Sequence, residues 1–136
     1  MDSKQYQLEN LLEFADQYRQ EIDLVLALPQ GAMVAEKIAR ALGKPWQMLE
    51  EEDNSPEKQT WRGKGVLLVD QAADSGAAIL EGISVLRSRG AHPVGAAVPV
   101  TSVKALSVIE DRADFFLAQR TVQDISDLAR SHPPIP

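Results

Sequence analysis

Leu8, Leu11, Leu12, Ala15 and Tyr18 recur at the spacing of one helix face, so residues 1–20 read as an amphipathic helix. The run DLVLALP that follows is apolar without alternation, has strand length and is closed by Pro29. Gln30-Gly31 makes a turn, and residues 32–43 form a helix with Val34, Ile38 and Leu42 inward and Gly43 as its cap. PWQML is a second short strand. Residues 50–65, EEEDNSPEKQTWRGKG, are polar and turn-rich and read as a mobile surface loop. VLLV is the third strand. A third helix carries Ile79, Ile83 and Leu86 inward and is closed by Gly90. PVGAAVPV is the fourth strand, Ser102 caps a helix bearing Val103, Leu106 and Ile109, and ADFFLA is the fifth strand. TVQDISDLARS reads as a last short helix.

Strands are thus expected near residues 23–28, 45–49, 65–70, 94–100 and 114–118. Several are apolar on both faces and all alternate with helices, which implies a parallel sheet covered on both sides. The expected fold is α/β, doubly wound, with three layers (α/β/α), a five-stranded parallel sheet and one domain over residues 1–136. In such a sheet, ligands sit beyond the carboxyl ends of the strands, where strand order reverses. With the order 2-1-3-4-5, strands one and three are neighbours at that point. The loops LPQGAM and VDQAADSGAA then face each other across one crevice.

Composition narrows the chemistry. There are no cysteines, so disulfides and thiolate zinc sites are excluded. The two histidines, His92 and His132, are far apart and each precedes a proline, a poor basis for a metal site. A net charge of −6, from 14 basic and 20 acidic residues, argues against a nucleic-acid partner, whose phosphates need neutralising. No apolar run approaches the ~20 residues of a membrane span. The N-terminus lacks the basic start and apolar block of a signal peptide, and a soluble, cytoplasmic protein is expected. Glu50 to Asp53 read as a solvated acidic loop rather than a metal site. Trp46 is expected in the core at its strand start, and Trp61 over the crevice as a stacking surface.

The stretch VLLVDQAADSGAAI, residues 66–79, carries the candidate chemistry. Small residues from Gln71 to Ala78 let the backbone curl closely around a ligand. Gly76 opens the next helix, so backbone N–H groups and the positive end of a helix dipole point into the loop, which suits a phosphate. Ser75 adds a hydroxyl. Asp70, at the end of a buried strand, can accept sugar hydroxyls or help hold hydrated magnesium. A plain βα connection also needs small residues and a cap, so both readings stand on local features alone. The stretch is neither a G-x-G-x-x-G fingerprint nor a P-loop. The first strand lacks the acidic pair of a receiver domain.

The same stretch resembles the phosphoribosyl-pyrophosphate motif of type I phosphoribosyltransferases: four apolar residues, two acids, a short variable stretch, then Thr-Gly-x-Thr. LVLALPQGAMVAEKIARALGKPW is similar to that family's first strand, pyrophosphate loop and first crossover helix. AHPVGAAVPV followed by ADFFLA resembles its closing strands. The likeness is strongest to small bacterial members whose first loop reads Leu-Pro-Arg-Gly-Gly. It implies that Ala73, Asp74, Ser75, Gly76, Ala77 and Ala78 wrap a 5-phosphate, and that Asp70 takes the ribose hydroxyls and magnesium. Pro29, Gln30, Gly31 and Ala32 would approach pyrophosphate through a strained peptide bond. Asp74 stands where the purine-salvage branch has an aspartate acting near the base nitrogen, so Asp70 and Asp74 are the candidate catalytic residues; a helix cap beside Ser75 is the other reading of Asp74.

The pattern also breaks. Gln71 replaces the second acid, and Ala78 the last threonine. Gln30 and Ala32 replace arginine and glycine, the lid is reduced to residues 50–65, no hood for a nucleobase is visible, and only Lys58, Arg62 and Lys64 remain to bring positive charge over the site. The expectation is a phosphoribosyltransferase-family protein that binds phosphoribosyl pyrophosphate or a related phosphorylated ribose or nucleotide, with pentosyl transfer if active. The alternative is a catalytically inactive relative acting as a ligand-binding sensor or partner subunit. Magnesium is expected to be weak or absent, neither nucleic acid nor membrane is expected as a partner, and there is room for a homodimer.

Overall fold

The computed structural model describes residues 11–13, 15–49 and 61–123, without the side chain of Gln119. Residues 11–13 and 15–16 are helical, as the N-terminal periodicity predicts. Six strands follow: β1 Leu24–Ala27, β2 Trp46–Met48, β3 Gly65–Val69, β4 Ala72–Ala73, β5 His92–Ser102 and β6 Phe115–Val122. The helices among them are α1 Ala32–Leu42, α2 Ala77–Ser88 and α3 Val103–Glu110. All strand pairings are parallel. The order is β2-β1-β3-β5, with β6 on the far edge of β5, which is the expected order with the third strand broken in two.

Strand geometry explains the layers. Successive side chains point to opposite faces, and nearly every residue of β1, β3 and the middle of β5 is buried. Leu24, Leu26, Val66, Leu68, Ala96 and Val98 pack on one face with Ile79, Ile83 and Leu86 of α2 and Ala105 and Ile109 of α3. Val25, Ala27, Leu67, Val69 and Ala97 pack on the other with Ile38 and Leu42 of α1 and with Leu11 and Ala15. Each fully buried leucine or isoleucine contributes about 1.5–3 kcal/mol. The two apolar faces therefore outweigh exposed ion pairs such as Arg40–Glu36.

The break in the third strand has a cause in β5. Val69 pairs with Ala97, Ala72 with Val100 and Ala73 with Thr101, so β3 and β4 keep one register. Asp70 and Gln71 fall opposite Val98 and Pro99. The Asp70 N–H still donates to the Ala97 carbonyl at 3.3 Å. In a parallel ladder the same residue would accept from the N–H of residue 99, and proline has none. The ladder loses that rung, the chain leaves the sheet at Asp70–Gln71, and it rejoins for two residues as β4.

Three expectations are corrected. The last helix was expected from Thr121, but Thr121 and Val122 end β6, paired with Thr101 and Ser102; residues 124–131 lie outside the described residues. Trp46 is 36% exposed on the edge strand β2 instead of in the core. Trp61 is 1% exposed and packs in the core beneath Arg89, whose guanidinium carbon lies 5.4 Å from its ring centroid, rather than over the crevice. Residues 50–60 of the loop between them lie outside the described residues.

Replacing Pro99 by alanine restores the missing donor. The new amide at position 99 is expected to exchange with solvent as slowly as its β5 neighbours in a hydrogen-exchange measurement. Exchange at the rate of an exposed loop amide would show that the proline does not cause the break.

Candidate functional site

The carboxyl ends of β1 and β3 lie side by side, and the segments leaving them meet at backbone level. After β1 the chain turns at once: Gly31 N–H donates to the Leu28 carbonyl at 2.8 Å, with Pro29 at the turn position that suits its fixed φ. Leu28 N–H donates to the Val69 carbonyl at 2.9 Å. Gly31 is pressed onto the end of β3, where an added Cβ would lie 2.5 Å from the Val69 carbonyl oxygen and 2.7 Å from the Asp70 Cα. Any larger residue would have to move backbone, so the first loop and the start of the second hold each other in place. Gly31 is also the N-cap of α1, without a side-chain cap. Pro29 and Gln30 are exposed beside it. The peptides of this loop are trans.

The second loop begins at Asp70, which is half-buried and accepts the Gln71 N–H on Oδ1 at 2.7 Å. Burial raises its pKa, and the Gln71 hydrogen bond opposes that in part. Ala73 is buried in β4 opposite Thr101, whereas Asp74, Ser75, Ala77 and Ala78 are exposed. Gly76 is the N-cap of α2 with φ +85, and an added Cβ would lie 2.8 Å from Val108 Cγ2 on α3. Only glycine meets both the left-handed backbone and the contact. Ser75 Oγ accepts the Ala77 N–H at 3.1 Å and keeps its own hydrogen to donate. The capping bond thus comes from Ser75 and not from Asp74.

α3 braces this loop from behind, through a residue that the sequence marked only as a cap. Ser102 Oγ accepts the Ala105 N–H at 3.0 Å, capping α3, and donates to the Asp74 carbonyl. One hydroxyl therefore fixes both the start of α3 and the middle of the loop.

The expected cations are elsewhere. Arg62 and Lys64 precede β3 and so stand at its amino end. Arg62 lies against Gly90, and the Lys64 carbonyl accepts the His92 N–H. The length of β3 at about 3.3 Å per residue separates them from Asp70 by roughly 16 Å. Lys58 lies outside the described residues. Among the described residues, no group of three or more potential ligands could hold a metal ion, and Asp70 offers one carboxylate with an oxygen already engaged. A cavity of about 640 Å³, lined by Tyr18, Asp23, His92, Asp114 and Phe115 among others, opens at the amino pole, away from both loops.

Burial makes Asp70 hold its proton more tightly in the folded chain than in the unfolded one. Its contribution to stability is therefore greatest in acid and falls as pH rises through the carboxylate range. Asp70→Asn keeps an acceptor for the Gln71 N–H and removes the charge. The variant should melt higher than the parent at neutral pH, and the gain should shrink below about pH 4, where Asp70 is protonated anyway. A gain that persists unchanged in acid would rule out the buried charge as its origin.

Residues 7–126 match the model of the phosphoribosyl transferase domain. No curated protein matches the chain. Among solved structures, the orotate phosphoribosyltransferase from Aeropyrum pernix superposes with a TM-score of 0.68 at 22% identity, covering 93% of this chain and 74% of that one. The APRTase from Giardia lamblia complexed with 9-deazaadenine gives 0.70 at 15%, covering 85% and 79%. A hypothetical protein from Neisseria gonorrhoeae with bound ppGpp gives 0.67 at 19%, covering 90% and 80%. No helix among the described residues is long and apolar enough to cross a membrane. The sheet and its flanking helices share the fold of these solved structures, and the match over residues 7–126 shows the family: the chain belongs to the phosphoribosyltransferase family.

Proposed function

We propose that the crevice binds a phosphorylated ribose or nucleotide, phosphoribosyl pyrophosphate or a relative of it. The phosphate rests on N–H groups of residues 73–78 other than that of Ala77, which Ser75 Oγ holds, and the ribose hydroxyls bond to Asp70. The observation that carries this reading is that two helices begin at the carboxyl pole of the sheet, the start of α1 fixed against Val69 and Asp70 by Gly31 and that of α2 following the Asp70 loop. The first turn of each helix supplies N–H groups without an intrahelical acceptor, and the dipoles favour an anion. Ser75 adds a donor. The Neisseria gonorrhoeae neighbour with bound ppGpp supports a nucleotide as a ligand class for this fold.

Retention of the ligand without turnover, as a sensor or partner subunit, is favoured by the placement of charge. Transfer requires departing pyrophosphate to be stabilised by groups already in position. Gln30 brings no charge, Gln71 no second carboxylate and Ala78 no hydroxyl, while Arg62 and Lys64 stand at the other pole. One missing donor of this kind costs ~3 kcal/mol, roughly a hundredfold or more in rate. Magnesium contributes weakly under this reading, since Asp70 stands alone.

The test is binding followed by turnover. Ribose 5-phosphate at a hundred times its dissociation constant should stabilise the parent by ~2.7 kcal/mol in thermal unfolding. Ser75→Glu, which places a carboxylate in the anion pocket, should abolish that shift; an unchanged shift would place the site elsewhere. Chelating magnesium should change affinity by less than about tenfold, or 1.4 kcal/mol. No pyrophosphate should be released from phosphoribosyl pyrophosphate with common bases. Steady release with a defined acceptor would establish a minimal enzyme instead.

A further inference from the structure

We infer that the crevice selects a phosphomonoester over a diphosphate, an inference that rests on its reading as a phosphate site. The order of the sheet gives the second loop two unlike flanks, since β3 has β1 on one side and β5 on the other. On the β5 flank, Ser102 donates to the Asp74 carbonyl, and Lys104 stands two residues later in the first turn of α3. A cation therefore accompanies the loop that holds the first phosphate.

The β1 flank is different. Residues 28–35, which form the turn and the first turn of α1, carry no ionisable side chain, and Met33 there is 74% exposed. The first cation on α1 is Lys37, the sixth residue of the helix and about 8 Å along its axis from the start. The Leu28–Gly31 turn also closes directly on β3, because Gly31 touches the backbone of Val69 and Asp70. A second phosphate carried to this side would meet the N–H groups at the start of α1 but no cation, so its added charge would surrender hydration without a counter-charge. It would also lie near the Asp70 carboxylate, which adds repulsion once that group is ionised. A single phosphate meets the N–H groups and Lys104 without either penalty.

The probes are ribose 5-phosphate and phosphoribosyl pyrophosphate, titrated calorimetrically into the parent chain with and without magnesium. Ribose 5-phosphate should bind about tenfold tighter than phosphoribosyl pyrophosphate, the scale of one charge-assisted hydrogen bond. In Gln30→Arg, an exposed position, phosphoribosyl pyrophosphate should gain about tenfold while ribose 5-phosphate stays within about twofold. Equal affinities, or tighter binding of phosphoribosyl pyrophosphate by the parent, would overturn the selectivity and leave the phosphate site standing. Binding of neither compound would remove both the selectivity and the site on which it rests.

Discussion

A parallel ladder continues only while each strand offers an N–H at every second rung, and beside Asp70 the required donor is the nitrogen of Pro99. Most of the local architecture follows. The chain leaves the sheet at the last residue of a fully buried strand, so Asp70 is carried out of the core yet stays half-buried. Two residues later β4 rejoins the same edge in the same register, so the loop is anchored at both ends. What lies between Val69 and α2 is a short, tethered bow rather than a free connection. Its shape is set by β5, a strand that contributes no side chain to the candidate chemistry.

The same economy holds behind the loop. Ser102 ends β5, caps α3 and holds the Asp74 carbonyl, while Val108 of α3 leaves room only for glycine at position 76. The site is therefore coupled to the packing of α3 against α2 and the sheet. Disturbance in α3 would be felt first in the curvature of the loop between Asp70 and Gly76. That coupling runs through a buried hydroxyl and the Val108 side chain against Gly76, neither of which can yield without loss of a hydrogen bond or a clash.

Much of this was legible in the sequence. Apolar runs without alternation identified the buried strands, and the intervening 3.6-residue periodicity identified α1, α2 and α3; on α3, however, Val103 is exposed and Ala105 is buried beside Ile109. The neighbouring first and third strands were legible too, and Gly31 does lie against Val69 and Asp70 where the two loops begin. The tryptophans were not legible because bulk and hydrophobicity do not tell an edge strand from a central one: Trp46 sits on β2, which has a neighbour on one side only, and Trp61 fills the core under Arg89. The placement of Arg62 and Lys64 could have been read. Residues just before a parallel strand lie at its amino end, opposite the ligand pole, whatever their charge. Pro99 carried a signal too, since a proline inside a central strand must interrupt a ladder somewhere.

The residues at the site differ in what the fold alone asks of them. Gly31 is required by a backbone contact, Gly76 by its left-handed φ and the Val108 side chain, Ser102 by the capping of α3, and Ser75 by the first N–H of α2, so each would serve a protein with no ligand at all. Asp70 is different. Its carboxyl is disfavoured by burial when ionised, it accepts the next N–H in the chain, and asparagine would satisfy that bond equally well. Under the proposed reading, a charge that the fold tolerates rather than uses stands ready to accept two hydroxyls from a sugar whose phosphate lies on the loop beside it.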